Sequence, residues 1–332
     1  MVKACRLVKV SRDFFAQTKY IYNTMGLFVA TLNVINNILH IEPIAILVDL
    51  IFWLVIFCVG FPVAAIVTLL RGIYLFLYFF FRPRDIDPSK GKEQEEVAVL
   101  VTGCDSGFGR EVVPTLTSKR FIVFAGCLHQ QSLSNFKKDP LVIPIVLDVT
   151  SDKSVKDAQR KVSSWLAGGV KTKRYFHALV NNAGVGRPSM IDWAPVSDFQ
   201  ACIDVNYIGM VRCVKEFLPI LQKQAILGTY TDARIINMVS MAGLIYHGGD
   251  GASPYVASKH AADAFTANLR LEMNAYGVHV TTINPSFHQT PMADPDAVRL
   301  GLEKTWSNLE PNLQEEYGEG AFVQQKLAIE SI

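Results

Sequence analysis

Cysteines in paired spacing are missing from this chain. The six present, Cys5, Cys58, Cys104, Cys127, Cys202 and Cys213, lie far apart and form no C-x-x-C. That excludes a disulfide framework and a structural zinc site, and no metal is expected; they read as reduced thiols in a cytosol-facing domain. An excess of charge of one sign is also missing: 32 Lys and Arg against 30 Asp and Glu leave +2, so no nucleic-acid or strongly acidic partner is indicated. Internal repeats and low-complexity tracts are absent as well.

What the chain does have is one long apolar region. From Ile44 to Leu70 the only charge is Asp49, and after Arg71-Gly72 the run resumes as Ile73 to Phe81. Such a run argues for a membrane anchor. It is too long and starts too late for a signal peptide. Residues 44–81 as one helix would extend about 57 Å at ~1.5 Å per residue, beyond a ~30 Å hydrocarbon core. Gly60-Phe61-Pro62 near the middle offers a bend. Basic residues flank both ends (Lys3, Arg6, Lys9, Arg12 and Lys19 before; Arg71, Arg82 and Arg84 after), which suits a hairpin with both ends cytosolic. A single span with residues 73–81 at the interface is the alternative. The division that follows is a basic segment 1–43, the anchor 44–81, a Pro- and Gly-containing linker 82–96, a dinucleotide-binding domain 97–290 and a substrate-loop segment 291–332. The basic, acid-poor residues 1–43 also keep a mitochondrial address open.

Beyond residue 96 the pattern alternates strand and helix, giving an α/β fold with a Rossmann-type, doubly wound parallel sheet. Apolar runs at Val97–Thr102, Phe121–Gly126, Val142–Leu147, Ala178–Val180 and Val278–Asn284 are the candidate strands. The first ends in Gly103-Cys104-Asp105-Ser106-Gly107-Phe108-Gly109 before a helix-like stretch. Glycines let the backbone turn sharply and a pyrophosphate approach, and the following helix N-terminus presents unpaired N–H groups. The spacing is G-x-x-x-G-x-G, not G-x-G-x-x-G. The second strand runs into Cys127-Leu128-His129-Gln130, with neither the acid nor the arginine that would separate NAD from NADP. Pro114 falls within the helix after the glycine turn, where a kink is expected. No obvious final strand follows the substrate-loop region, so the last strand of the sheet is expected to be missing or replaced.

Tyr255 and Lys259, four residues apart, share a helix face. A fixed cation beside a phenol favours the phenolate, so a lowered Tyr255 pKa and general acid–base work near neutral pH are expected. The spacing alone arises often by chance on solvated helices; the accompanying motifs supply its weight.

Together, TGCDSGFG (102–109), NNAG (181–184), VNYIG (205–209), INMVS ending at Ser240, and YVASK (255–259) resemble the short-chain dehydrogenases/reductases, over about residues 95–292. Pro285 to Met292 is similar to the family's P-G-x-x-x-T-P-M, with Ser286 in place of its glycine. TGCDSGFG with FAGCL (124–128) looks most like the membrane-associated branch that holds D-3-hydroxybutyrate, retinol and 17β-hydroxysteroid dehydrogenases. The resemblance implies that Ser240 positions the substrate oxygen, Tyr255 exchanges its proton, and Lys259 lowers the tyrosine pKa and binds the nicotinamide ribose. It implies that Asn206 supports a water relay. Gly103, Asp105, Ser106, Gly107, Phe108, Gly109, Asp148, Asn182, Ala183, Gly184, Pro285 and Thr290 would line NAD or NADP, the resemblance favouring NAD. The expected activity is interconversion of an alcohol and a ketone or aldehyde on a lipophilic substrate, a steroid first and a retinoid second. The expected site is the endoplasmic reticulum membrane, with the catalytic domain in the cytosol. Alternatives are a D-3-hydroxybutyrate-type hydroxy-acid dehydrogenase and a non-catalytic cofactor-binding scaffold. A homo-oligomer is compatible with the sequence.

Overall fold

The computed structural model describes Ile73 and residues 95–330, apart from 170–171, 188–189, 229–231, 246–251 and 287. Apart from Ile73, the anchor 44–81, the basic segment before it and most of the linker lie outside the described residues, as do residues 247–251. Among the described residues no helix is long and apolar enough to cross a membrane. The chain divides into two compact units, residues 1–86 and 87–332, and the second carries the elements below.

Six strands form one wholly parallel sheet in the order β3-β2-β1-β4-β5-β6. They are β1 (Glu95–Thr102), β2 (Ile122–Cys127), β3 (Val142–Val146), β4 (Lys173–Asn181), β5 (Arg234–Met238) and β6 (His279–Ile283). Helices connect them: α1 (Gly107–Ser118), α2 (Asp152–Ala167), α3 (Val196–Ile203), α4 (Met210–Ile226) and α5 (Ser253–Asn274). After β6 come α6 (Pro295–Ser307) and α7 (Pro311–Glu330), the latter broken at Gly318, whose φ is +70°. No strand follows β6 among the described residues.

The two faces of the sheet follow from the period of two along β1. Val97, Val99 and Val101 pack with Val113 of α1. Ala98 and Leu100 instead join Val155 and Val162 of α2, Phe217 and Leu221 of α4, and Leu269 of α5. Strands buried on both faces need continuous apolar runs, which is why β1 was legible before the fold was known. β1 starts at Glu95, inside the predicted linker, and β4 starts at Lys173, five residues ahead of its apolar run at 178–180. Both extensions open with charged residues held by the ladder Glu95↔Lys173 and Glu96↔Arg174, with Arg174 Nε 2.6 Å from Glu96 Oε2. Pro114 does not end α1, which continues to Ser118.

The order reverses between β1 and β4. In open parallel sheets ligands bind in the crevice outside the carboxyl ends at such a switch point.

Candidate active site

The glycine turn leaves β1 at that crevice. Gly103 and Gly107 have φ of +70° and +54°, a region side chains with a Cβ avoid. Gly109 is needed for close approach: a Cβ there would lie 2.2 Å from the Gly103 carbonyl oxygen and 2.5 Å from Asn182 Nδ2. Ser106 precedes α1 without a side-chain cap, so the leading N–H groups of that twelve-residue helix remain for an anion. A glycine-lined turn opening onto an uncapped helix fits the pyrophosphate of a dinucleotide.

Several residues assigned to the cofactor by resemblance spend their side chains on building this turn. Asn182 Nδ2 donates to the carbonyls of Thr102 (2.9 Å) and Gly103 (3.1 Å). Thr102 Oγ1 accepts from the backbone N–H groups of Asn182 and Ala183, both at 2.9 Å. The end of β4 is thereby clamped onto the end of β1. Asp148 Oδ1 accepts from Thr150 N (2.9 Å) and Thr150 Oγ1 (2.7 Å) at the carboxyl end of β3. Asp105 accepts from Leu128 N and His129 N across the turn. Phe108 is partly exposed and meets His288 edge-on at 5.2 Å, and a Cβ on Gly107 would lie 3.5 Å from Thr290 Cβ. The glycine turn and the Pro285–Thr290 segment therefore face each other. Ser286 is exposed, and its carbonyl lies 2.9 Å from His288 Nδ1.

Asn206, Ser240, Tyr255 and Lys259 converge beside this turn. Ser240 lies just beyond β5, and its Oγ accepts from Ala242 N at 3.1 Å. Tyr255 is the third residue of α5, and its phenol stands near enough to Ser240 for that hydroxyl to favour its charged form. Lys259, one turn on, is 4% exposed and donates to the Met238 carbonyl at 3.0 Å. Asn206 sits in a π-helical turn, Asp204–Gly209, that joins α3 to α4. Such wide turns inside helices are frequent at functional sites. Its Oδ1 accepts from Val185 N (2.8 Å), and its Nδ2 donates to Val185 O and Ser258 Oγ (both 2.9 Å). A Cβ on Gly184 would be 3.3 Å from Asn206 Oδ1 and 3.6 Å from Lys259 Nζ, so both groups close over that glycine.

The electrostatics correct one expectation. Tyr255 is raised above the ordinary phenol value, not lowered. Burial of the would-be phenolate dominates, the Ser240 hydroxyl works against it, and Cys202 nearby adds to the rise. The Lys259 ammonium is directed to Met238 O and stands 5.5 Å from the Tyr255 ring centroid, where it does not reverse the burial effect. Burial in turn lowers Lys259 to about 8. Buried in this way, Tyr255 is a proton donor and Lys259 titrates just above neutrality.

Sequence reasoning assigned no role to Thr102 or Ser258, although both lie inside quoted motifs. It also passed over the buried ladder under the site, Asn181 Nδ2 to Asn237 Oδ1 (2.8 Å) and Asn237 Nδ2 to Thr266 Oγ1 (2.9 Å), which ties β4 and β5 to α5. Apolar residues inside a helix or strand mask such polar links until the elements are assembled.

The sequence model of the family described as short chain dehydrogenase matches residues 97–298. A 3beta-hydroxysteroid dehydrogenase of Caenorhabditis elegans, dhs-16, is 35% identical over 253 residues, covering 74% of this chain and 62% of that protein. Mouse (Mus musculus) retinol dehydrogenase 5 is 33% identical over 235 residues, covering 70% and 69% of the two chains. The solved short chain dehydrogenase/reductase from Burkholderia phymatum in complex with NAD superposes with a TM-score of 0.55 at 25% identity, covering 73% of this chain and 82% of that one. The closed form of serine dehydrogenase complexed with NADP+ gives 0.54 at 26% identity, covering 64% and 82%.

Proposed function

The chain belongs to the short chain dehydrogenase family, and from that premise we propose that it oxidises or reduces a CH–OH group of a lipophilic alcohol or its carbonyl partner, with a nicotinamide dinucleotide as co-substrate. The observation that carries this reading is the convergence of Ser240, Tyr255, Lys259 and Asn206 beside an uncapped glycine turn. Gly103, Gly107 and Gly109, with the α1 N-terminus, would hold the pyrophosphate; Thr290, Pro285 and Lys259 would hold the nicotinamide end. When bound, that group supplies or accepts the hydride. Ser240 and Tyr255 hold the substrate oxygen between two hydroxyls. In reduction Tyr255 gives its proton to that oxygen as charge builds there, and in oxidation the phenolate takes the hydroxyl proton. Lys259 keeps positive charge behind the tyrosine, and Asn206 holds the adjoining Val185 backbone in place.

The finer reading is a steroid or retinoid substrate. It is supported by similarity to a 3beta-hydroxysteroid dehydrogenase and a retinol dehydrogenase and by exposed apolar residues around the site, Met241, Leu244, Ile245 and Met292. NAD is the favoured nucleotide. The apolar run 44–81 supports attachment to a membrane, the endoplasmic reticulum first, where such substrates partition.

The test is turnover by the full chain in detergent micelles with NAD or NADP, given 3β-hydroxysteroids, retinol or D-3-hydroxybutyrate and followed by dihydronicotinamide absorbance. Turnover of a steroid or retinol is expected. Turnover of hydroxybutyrate alone would overturn the lipophilic assignment.

A further inference from the structure

The adenosine ribose of a dinucleotide lies at the end of the second strand, where an acid borne by that strand usually grips its hydroxyls. Here residues 127–136 contain no acid, and no Lys or Arg. An acid is nonetheless present at that place, delivered by another element. Asp105, in the glycine turn after β1, reaches across to the loop after β2. Its Oδ2 accepts from Leu128 N at 2.8 Å and its Oδ1 from His129 N at 3.1 Å. The nearby Ser132 hydroxyl also favours its charged form.

We propose that Asp105 substitutes for the missing strand-end acid and makes this protein select NAD(H) over NADP(H). Two features of the arrangement act in the same direction. The backbone N–H groups of Leu128 and His129, the donors that a 2′-phosphate would otherwise find at the strand end, are already occupied by a carboxylate. A fixed negative charge stands where that phosphate would bring its own, and like charges in such proximity are costly. Burial pushes the Asp105 carboxyl up, but the bonds from Leu128 and His129, with the Ser132 hydroxyl, more than offset this and hold it below the ordinary range. It is an anion at neutral pH. No cation follows the turn until Arg110, exposed in the first turns of α1. The inference rests on the reading that a nicotinamide dinucleotide occupies this crevice.

The experiment is equilibrium binding of NADH and of NADPH to the full chain in detergent micelles, by dihydronicotinamide fluorescence, for the wild type and Asp105→Asn. The wild type is expected to bind NADPH about tenfold or more weaker than NADH, and the neutral variant to narrow that ratio about fivefold. A second measurement needs no variant: adenosine 2′,5′-bisphosphate should displace NADH from the wild type about tenfold less effectively than AMP. Equal binding of the two coenzymes by the wild type, or a ratio unmoved in a folded Asp105→Asn, overturns the selection role and leaves the cofactor reading intact. Failure of the wild type to bind either nucleotide overturns the cofactor reading and this inference together.

Discussion

Asn206 Nδ2 donates to Ser258 Oγ at 2.9 Å, and Ser258 Oγ donates in turn to the Tyr255 carbonyl at 2.7 Å. The π-helical turn is thus coupled to the helix that carries both Tyr255 and Lys259. Replacing Asn206 by Ala removes the partner of Val185 N and the amide donor to Val185 O in a partly buried setting, leaving the latter only the weak Cys202 Sγ contact at 3.9 Å, a loss of at most about 1–3 kcal/mol for each group left unpaired. Asn206→Ala should lower both Tm and kcat. Ser258→Ala removes one of three Asn206 bonds and should lower kcat several-fold less. Thermal melts with steady-state kinetics on the two variants check the order.

Tyr255→Phe keeps the ring under which Lys259 Nζ lies and removes the hydroxyl that Ser240 stands near. Turnover should fall by about 10²–10⁴-fold, the contribution of a positioned acid–base group. Nucleotide affinity should change little. Single-turnover rates beside nucleotide titrations separate the two. Wild-type turnover in the variant would remove Tyr255 from the mechanism.

The pH dependence follows from opposite shifts. Burial raises Tyr255, so it stays protonated through neutrality and available to give its proton to the oxygen of a carbonyl being reduced. Burial lowers Lys259 to about 8, so its charge is present below that pH and lost as pH rises through it. Reductive kcat/KM should be flat below neutrality and decline with an apparent pKa near 8. The same depressed base has a stability consequence. Between its folded value of about 8 and the ordinary 10.5, the unfolded chain holds a proton that the folded chain does not, so this group raises stability as pH rises across that window. Kinetics and melts across the alkaline range test both signs.

Gly109→Ala drives a methyl to 2.2 Å from the Gly103 carbonyl, a backbone atom without freedom to retreat. The variant should lose nucleotide binding and about 1–3 kcal/mol of stability, the usual cost of overpacking. Gly228→Ala is its control, since a Cβ there meets nothing within 4 Å although φ is +61°. It should keep nucleotide affinity. Titration of both proteins distinguishes the crevice effect from backbone strain.

The aromatic cluster Trp193, Trp306, Tyr317 and Phe322 joins the segment after β4 to α6 and α7. Trp306 lies 4.9 Å from Trp193 and stacks on Phe322 at 5.0 Å, while Tyr317 OH bonds Asp192 Oδ2 at 2.5 Å. Trp306→Ala should loosen this packing, cost less than the ~3–5 kcal/mol of a fully buried aromatic because Trp306 is only partly buried, and raise KM for a lipophilic substrate more than for nucleotide. Limited proteolysis within 190–330 and paired KM values check it.

The candidate catalytic and cofactor-turn residues were legible from short local patterns taken together with the family resemblance, which alone gave Ser240 and Asn206 their roles. Tyr255 and Lys259 follow the helical repeat, the glycines follow the needs of a tight turn, and Ser240 follows a strand end. The strands that were legible are those buried on both faces, whereas the polar ends of β1 and β4 were missed because only the ladder between them makes them strands. The direction of the Tyr255 shift was misjudged for a related reason. Spacing reports that a cation is near, but desolvation depends on everything packed around the phenol.

Sequence alone determined the class of chemistry: the periodicities, the glycine spacing and the order of motifs are properties of neighbouring residues, and neighbours in the chain suffice to state them. Tertiary structure decided where the side chains are spent. Asn182 is spent on Gly103, Asp105 on Leu128 and His129, Asn206 on Ser258 and Lys259 on Met238. Hydrogen bonding and desolvation act over a few ångströms in space, and most of these partners are separated by more than twenty residues of chain.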